Sequence, residues 1–268
     1  MKWVRFDHAG TPRFGFLEGD TVISTSLAWD EIVEGRSPDS GEQFDLGSIR
    51  RLAPLERPGK VVAIGLNYMD HIRETGSALP KVPLIFTKFT TAINNPGGTI
   101  RWSKSLTEQV DYEAELAVII GKTTRKAAEA DALSHVFGYT AANDVSARDL
   151  QFGDGQWVRA KSLDTFCPLG PLLVTADEIP DPQKLVIRTE LNGRTVQDSN
   201  TSEMIFKVAH LISFCSHSFT LEPGDVILTG TPHGVGSGRD PKLFMQDGDS
   251  VVVEIEGIGR LENDCAVE

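Results

Sequence analysis

Cysteine is scarce in this chain: Cys167, Cys215 and Cys265 are the only three among 268 residues. They are odd in number, widely spaced and never in a CxxC pair, which excludes a disulfide framework. That usage points to a reducing cytoplasm. Long apolar runs are also missing, and none approaches the roughly 20 residues of a membrane-spanning helix. The opening residues, MKWVRFDHAG, lack the apolar stretch of a secretory signal. Basic residues are outnumbered, 26 Lys and Arg against 38 Asp and Glu, for a formal charge of -12. That sign argues for no nucleic acid and no anionic membrane as main partner, yet a small anionic substrate meets only a local field. The six histidines form no HExxH or similar ligand spacing. Repeats and heptads are absent.

What remains is an ordinary globular composition, 40% hydrophobic and 24% charged. The length allows one large domain, or a main domain with a small one. KWVRF, RFGFLE and TVIS read as short antiparallel strands, and LAWDEIVEG as a short helix. RLAPLERPGK, with two prolines and a glycine, reads as a domain boundary. Beyond it, VVAIGL, PLIFTKF, FGYTAAND and GDVILTGTP read as strands. KLVIRTELNGRTVQ reads as a hairpin about Asn192-Gly193. NYMDHIRETG, RKAAEADALSHV and MIFKVAHLISFCSHSF carry the helical signals. Strands outnumber helices, so the expected fold class is a β-rich α+β fold.

One stretch, VDYEAELAVII, raises a question of charge. Asp111, Glu113 and Glu115 alternate with apolar residues, so a strand places all three carboxylates on one face. Carboxylates two residues apart lie roughly 6.5–7 Å from each other along a strand. At that distance they repel by about 0.6 kcal/mol in water and roughly 2.4 kcal/mol at a dielectric near 20. A solvated edge strand needs no compensation. A buried one needs protonation, pairing or a cation.

Several residues are suited to chemistry. Glu113 and Glu115 could converge on one ion, and an all-oxygen site suits Mg²⁺, Mn²⁺ or Ca²⁺. Asp144, at the end of the apolar strand in AANDVSARDLQ, is a third ligand candidate. His71 and Glu74 stand at i and i+3, where a helix lets a carboxylate orient an imidazole as general base. Lys161 is a lone cation that could meet a carboxylate or oxyanion. Gly230 and Thr231 form a turn after an apolar strand, where N–H groups and a hydroxyl could face an anion.

Taken in series, GLNYMDHIRE, DYEAELAVIIGK, AANDVSARDLQ, AKSLDTFCPLGP, EMIF and GDVILTGTPHGVG resemble the fumarylacetoacetate hydrolase family, over roughly residues 55 to 268. Residues 1–57 resemble the small N-terminal α+β domain of many bacterial members, leaving 58–268 as the catalytic domain. The resemblance implies a mixed β-sandwich or β-roll, usually a homodimer. It implies a divalent metal, Mg²⁺ or Mn²⁺ (with Ca²⁺ as a crystal substitute), on Glu113, Glu115 and Asp144. Asp111 is left to hydrogen-bond nearby groups. It implies a catalytic His71–Glu74 pair in a lid, Lys161 near the metal, and Arg148, Gln151, Gly230 and Thr231 about the substrate. The implied reaction is hydrolytic C–C cleavage of a 2,4-diketo acid such as a 3-acylpyruvate or fumarylpyruvate. Oxaloacetate-type decarboxylation, or isomerisation or tautomerisation of a 2-hydroxy-dienoate, is the alternative on the same metal site. Lys88-Phe89 departs from the Lys-Pro found in many members, which puts the packing of that loop in question.

Overall fold

The computed structural model describes residues 1–268. Lys2–His8, Thr11–Glu18 and Thr21–Thr25 form the N-terminal antiparallel unit that the turn residues suggested. Lys2–His8 also pairs with Cys167–Thr175, Trp3 opposite Leu173, so these strands extend a twelve-stranded sheet. That sheet continues through Val136–Asn143, Ala114–Ile120, Val226–Leu228 and Val61–Gly65 to an edge at Leu84–Thr87. A five-stranded sheet built around Val186–Leu191, Ser250–Ile255 and Gly259–Val267 packs across it. Both sheets are mixed: Val226–Leu228 runs parallel to Val61–Gly65, and Gly259–Val267 parallel to Ile100–Trp102. The result is the β-rich α+β sandwich that the sequence led us to expect. No helix is long and apolar enough to cross a membrane.

The strand Ala114–Ile120 explains its own composition. Leu116, Val118 and Ile120 join a core with Ile187, Val253 and Leu211. Ala117 and Ile119 point the other way, into a core with Val61, Ala142 and Leu228. A strand covered on both faces needs apolar residues at every position, not at alternate ones. Its register sets Ala114 opposite Asn143 and Glu115 opposite Ala142. The acidic start of one strand therefore lies beside the acidic end of its neighbour, and the Asp144 N–H donates to the Glu113 carbonyl at 2.9 Å.

Two expectations are corrected. VDYEAELAVII is not one strand: Val110–Asp111 pairs separately with Ser146–Ala147, and the chain breaks at Tyr112-Glu113. RKAAEADALSHV does not form a full α-helix. The Lys126 N–H and the Arg125 side chain bond to the carbonyl of Ser216, which holds the approach extended. Only Glu129–His135 remains, as a 3₁₀ turn. The hairpin is as expected, with Asn192 and Gly193 at φ 51° and 75°, the left-handed pair of a type I′ turn.

Candidate active site

Glu113, Glu115 and Asp144 converge, with ligand-capable oxygens all within 4.8 Å of one another and all three side chains buried. The acidic face of the opening puzzle is thus dry. Three cations answer it. Lys161 Nζ bridges Glu113 Oε2 at 2.7 Å and Asp144 Oδ2 at 2.8 Å. Lys88 Nζ reaches Asp144 Oδ1 at 2.5 Å and the Val145 carbonyl at 3.2 Å. Arg148 donates from Nε to Asp111 Oδ2 at 2.7 Å and from Nη1 to Gln151 Oε1 at 2.8 Å. Its Nη2 sits 2.7 Å from Glu113 Oε1, an ion-pair contact without hydrogen-bond alignment.

The balance is unequal. Four buried carboxylates, Asp111, Glu113, Glu115 and Asp144, face three buried cations, and Glu115 is the one that no cation touches. Burial, then Asp144 and Glu113, push its carboxyl well above the ordinary range, against the more distant charge of Lys161 and one N–H from Gly230 at 2.7 Å. Burial also opposes ionisation of Glu113, but Lys161 and Arg148 outweigh it and hold that carboxyl low. Burial disfavours the charge of Lys161. Asp144 and Glu113 reverse this and keep its ammonium charged. A fourth carboxyl without a cation, among converging oxygens with no sulfur or imidazole among them, fits a hard divalent cation that would let it ionise.

His71 and Glu74 sit on the helix Met69–Thr75, ended by Gly76 in the left-handed conformation. His71 Nδ1 lies 3.2 Å from Glu74 Oε2, and Glu74 Oε1 accepts the Gly234 N–H at 2.8 Å. Burial disfavours the Glu74 charge, but the hydrogen bonds from His71 and Gly234 bring its carboxyl net below the usual value. An ionised carboxylate only accepts, so Nδ1 carries the hydrogen, and Nε2 has a lone pair in the neutral form of the ring. The pair opens on a cavity of about 510 Å³, whose wall includes Glu113, Glu115, Arg148, Gln151, Lys161 and Thr231. Phe86 and Trp157 form an aromatic side, edge to face at 5.4 Å, with Lys161 Nζ 5.2 Å from the Phe86 ring centre.

Eight of the ten residues singled out in the sequence line this one cavity; Asp144 and Gly230 do not. Asp144 is fully buried off the wall, held between Lys88 and Lys161. Gly230 was expected to offer its N–H to an anion, and instead donates it to Glu115. Its φ of 95° and a Cβ position 2.8 Å from Asn67 Cβ leave room only for glycine there. Two residues, Lys88 and Gln197, escaped the sequence reading of the site, whereas Asp111 makes the hydrogen bonds left to it there. Lys88 was read only as part of a variant loop. Asp111 proves to be a hub, accepting from Arg148, Gly236 and Ser237. Gln197, from the hairpin, bonds Thr231. Lys88 just follows the strand Leu84–Thr87 and Gln197 sits in the polar run TVQDS, so neither carried a local signal.

Residues 60–266 match the family described as fumarylacetoacetate (FAA) hydrolase C-terminal, and residues 1–54 match Rv2993c-like, N-terminal. Over 252 residues the chain is 50% identical to oxaloacetate tautomerase fahd2, mitochondrial, of Xenopus laevis, covering 92% of this chain and 76% of that protein. A solved fumarylacetoacetate hydrolase from the psychrophile Exiguobacterium antarcticum is 40% identical, with a TM-score of 0.91 and 100% of both chains covered. A 5-carboxymethyl-2-hydroxymuconate delta-isomerase from Mycobacterium smegmatis is 38% identical, with a TM-score of 0.86 and 100% of both chains covered. Sequence, fold and arrangement agree: the chain belongs to the fumarylacetoacetate hydrolase family.

Proposed function

We propose that this chain is a metal-dependent enzyme of 2-keto acids that moves a proton at C3, interconverting keto and enol forms of oxaloacetate-type substrates. The observation that carries the reading is the His71–Glu74 pair opening on the same cavity as Glu113 and Glu115. Glu113, Glu115 and Asp144 would hold Mg²⁺ or Mn²⁺. Bound there, the ion supplies Lewis acidity to the 2-keto group and so acidifies the neighbouring C–H. His71 Nε2 takes the C3 proton while Glu74 steadies the imidazole through Nδ1. The same nitrogen returns the proton to the former keto oxygen, so no water is consumed. Lys161 holds positive charge against the negative charge that develops. Arg148 donates from Nε to Asp111 and from Nη1 to Gln151, so its part is to orient Gln151 beside the cavity.

The similar tautomerase and isomerase favour proton transfer as the net reaction. A second reading is hydrolysis of a 3-acylpyruvate or fumarylpyruvate, with His71 activating water toward the distal carbonyl. The similar solved hydrolase favours it, as does a cavity larger than a four-carbon acid fills. Loss of CO₂ from oxaloacetate is the third outcome of the same electron flow.

We also place residues 1–57 as an accessory domain on a catalytic domain of 58–268. The assembly is a homodimer through the Leu84–Thr87 edge, where Leu79, Val82, Leu84, Ile85 and Phe89 are exposed. Three free, buried cysteines suit the cytoplasm. The deciding assay follows enol-oxaloacetate by ultraviolet absorbance with Mg²⁺ or Mn²⁺, with products identified by NMR. Faster keto–enol exchange without pyruvate supports the tautomerase. Pyruvate plus a carboxylic acid from acylpyruvates establishes the hydrolase. No turnover of either class by the metal-loaded protein overturns both.

A further inference from the structure

We infer that Gln197 is a positioning residue that makes Thr231 a hydrogen-bond donor to an anionic group of the substrate. The inference rests on the keto-acid reading above. Gln197 lies on the strand Arg194–Asn200, is 1% exposed and forms no part of the cavity wall. Its Oε1 accepts the Ala114 N–H at 2.9 Å and the Thr189 hydroxyl at 2.7 Å. Its Nε2 donates to Thr231 Oγ1 at 2.9 Å and to the carbonyls of Pro232 at 3.0 Å and His233 at 3.3 Å.

This arrangement fixes the amide's direction. Turned over, its oxygen would face two carbonyls and its NH₂ would face the Ala114 N–H, leaving buried groups unpaired at a cost of about 1–3 kcal/mol each. With the amide locked, Thr231 Oγ1 must accept. A hydroxyl has one hydrogen, and no protein acceptor takes that of Thr231. Thr231 lines the cavity, so its unspent hydrogen faces the ligand. Gln151 repeats the device: its Oε1 accepts from Arg148, which leaves its NH₂ for the cavity. Two neutral polar groups of the wall, Thr231 and Gln151, are thus set as donors, the polarity a carboxylate requires.

The test is isothermal titration of oxalate into Mg²⁺-loaded wild type, Thr231→Val, Thr231→Ser, Gln197→Met and the Val/Met double variant. Thr231→Val and Gln197→Met should each bind oxalate about ten-fold more weakly, the size of a hydrogen bond to a charged group. Thr231→Ser should stay near wild type. The double variant should be no weaker than the worse single, because both changes remove one interaction. Mg²⁺ affinity without oxalate should be unchanged by Gln197→Met. Unchanged oxalate affinity in Gln197→Met, additive losses in the double variant, or an equal loss of Mg²⁺ affinity would overturn the inference. Should Gln197→Met not fold, equal behaviour of Thr231→Val and Thr231→Ser overturns it. Absence of oxalate binding by wild type would instead overturn the keto-acid reading, and this inference with it.

Discussion

Lys88 Nζ lies 2.5 Å from Asp144 Oδ1, with both side chains closed to water. Removing one partner of a buried pair costs about 3–5 kcal/mol. Lys161 also touches Asp144, so part of the charge stays compensated. Lys88→Met should therefore lose about 3 kcal/mol, read as a lower urea midpoint with an unchanged slope.

Glu115 offers the opposite sign. Without an ion its charge is opposed by burial and by Asp144 and Glu113. Glu115→Gln should melt higher than wild type in EDTA, and should lose the rise that wild type shows with Mg²⁺ or Mn²⁺. That rise corresponds to about 2.7 kcal/mol at a hundred-fold excess over Kd. Equal melting of ion-free and ion-loaded wild type would exclude a resident cation.

For His71 and Glu74 the readout is rate. General acid–base groups contribute about 10²- to 10⁴-fold, so His71→Ala should lower turnover of the true substrate by that factor. Unaltered kcat would dismiss it as the base.

Glu74 also ties stability to pH. Its folded carboxyl titrates below the ordinary 4.5, so its contribution is complete above that value and disappears as pH falls through the lower folded one. Urea unfolding of wild type and Glu74→Gln should differ by a constant amount near neutrality. The gap should close below pH 4.5.

The exposed apolar edge predicts assembly. Val82→Asp with Leu84→Lys should shift the sedimentation mass from two chains to one, because charges on an edge strand oppose pairing. A wild-type monomer would refute the edge as a contact between copies.

Phe89, where the family resemblance leads to proline, sits without strain. Its φ of -68° is one that proline adopts, and its N–H donates to Ser162 Oγ at 3.0 Å. Phe89→Pro removes that one exposed bond and stiffens the unfolded chain. The two effects oppose, so the melting temperature should move by only a few degrees.

Much of this molecule was legible because its signals are local. Asn192-Gly193 announces a turn, and LAVII announces a strand covered twice. The acidic residues stood out because three carboxylates on one strand demand an explanation wherever water is excluded. What could not be read came from distant parts of the chain. Lys126 is tied to Ser216, which shortens a helix whose own propensity is sound. Gln197 reaches Thr231 across 34 residues, and nothing in TVQDS tells that its amide turns inward. The N–H of Gly230 faces Glu115 only because the sheet brings residues 115 apart together.

The strand Ala114–Ile120 has a consequence for change over time. A sideways slip of one position would exchange its two sets of side chains and carry Glu115 to the wrong side. Loops elsewhere can lengthen or shrink, but an insertion or deletion between Ala114 and Ile119, ahead of the register break at Ile119–Ile120, would move Glu115 relative to its partners. Lineages that diverge in what they accept must therefore do so at the lid and the rim, with this segment inherited whole.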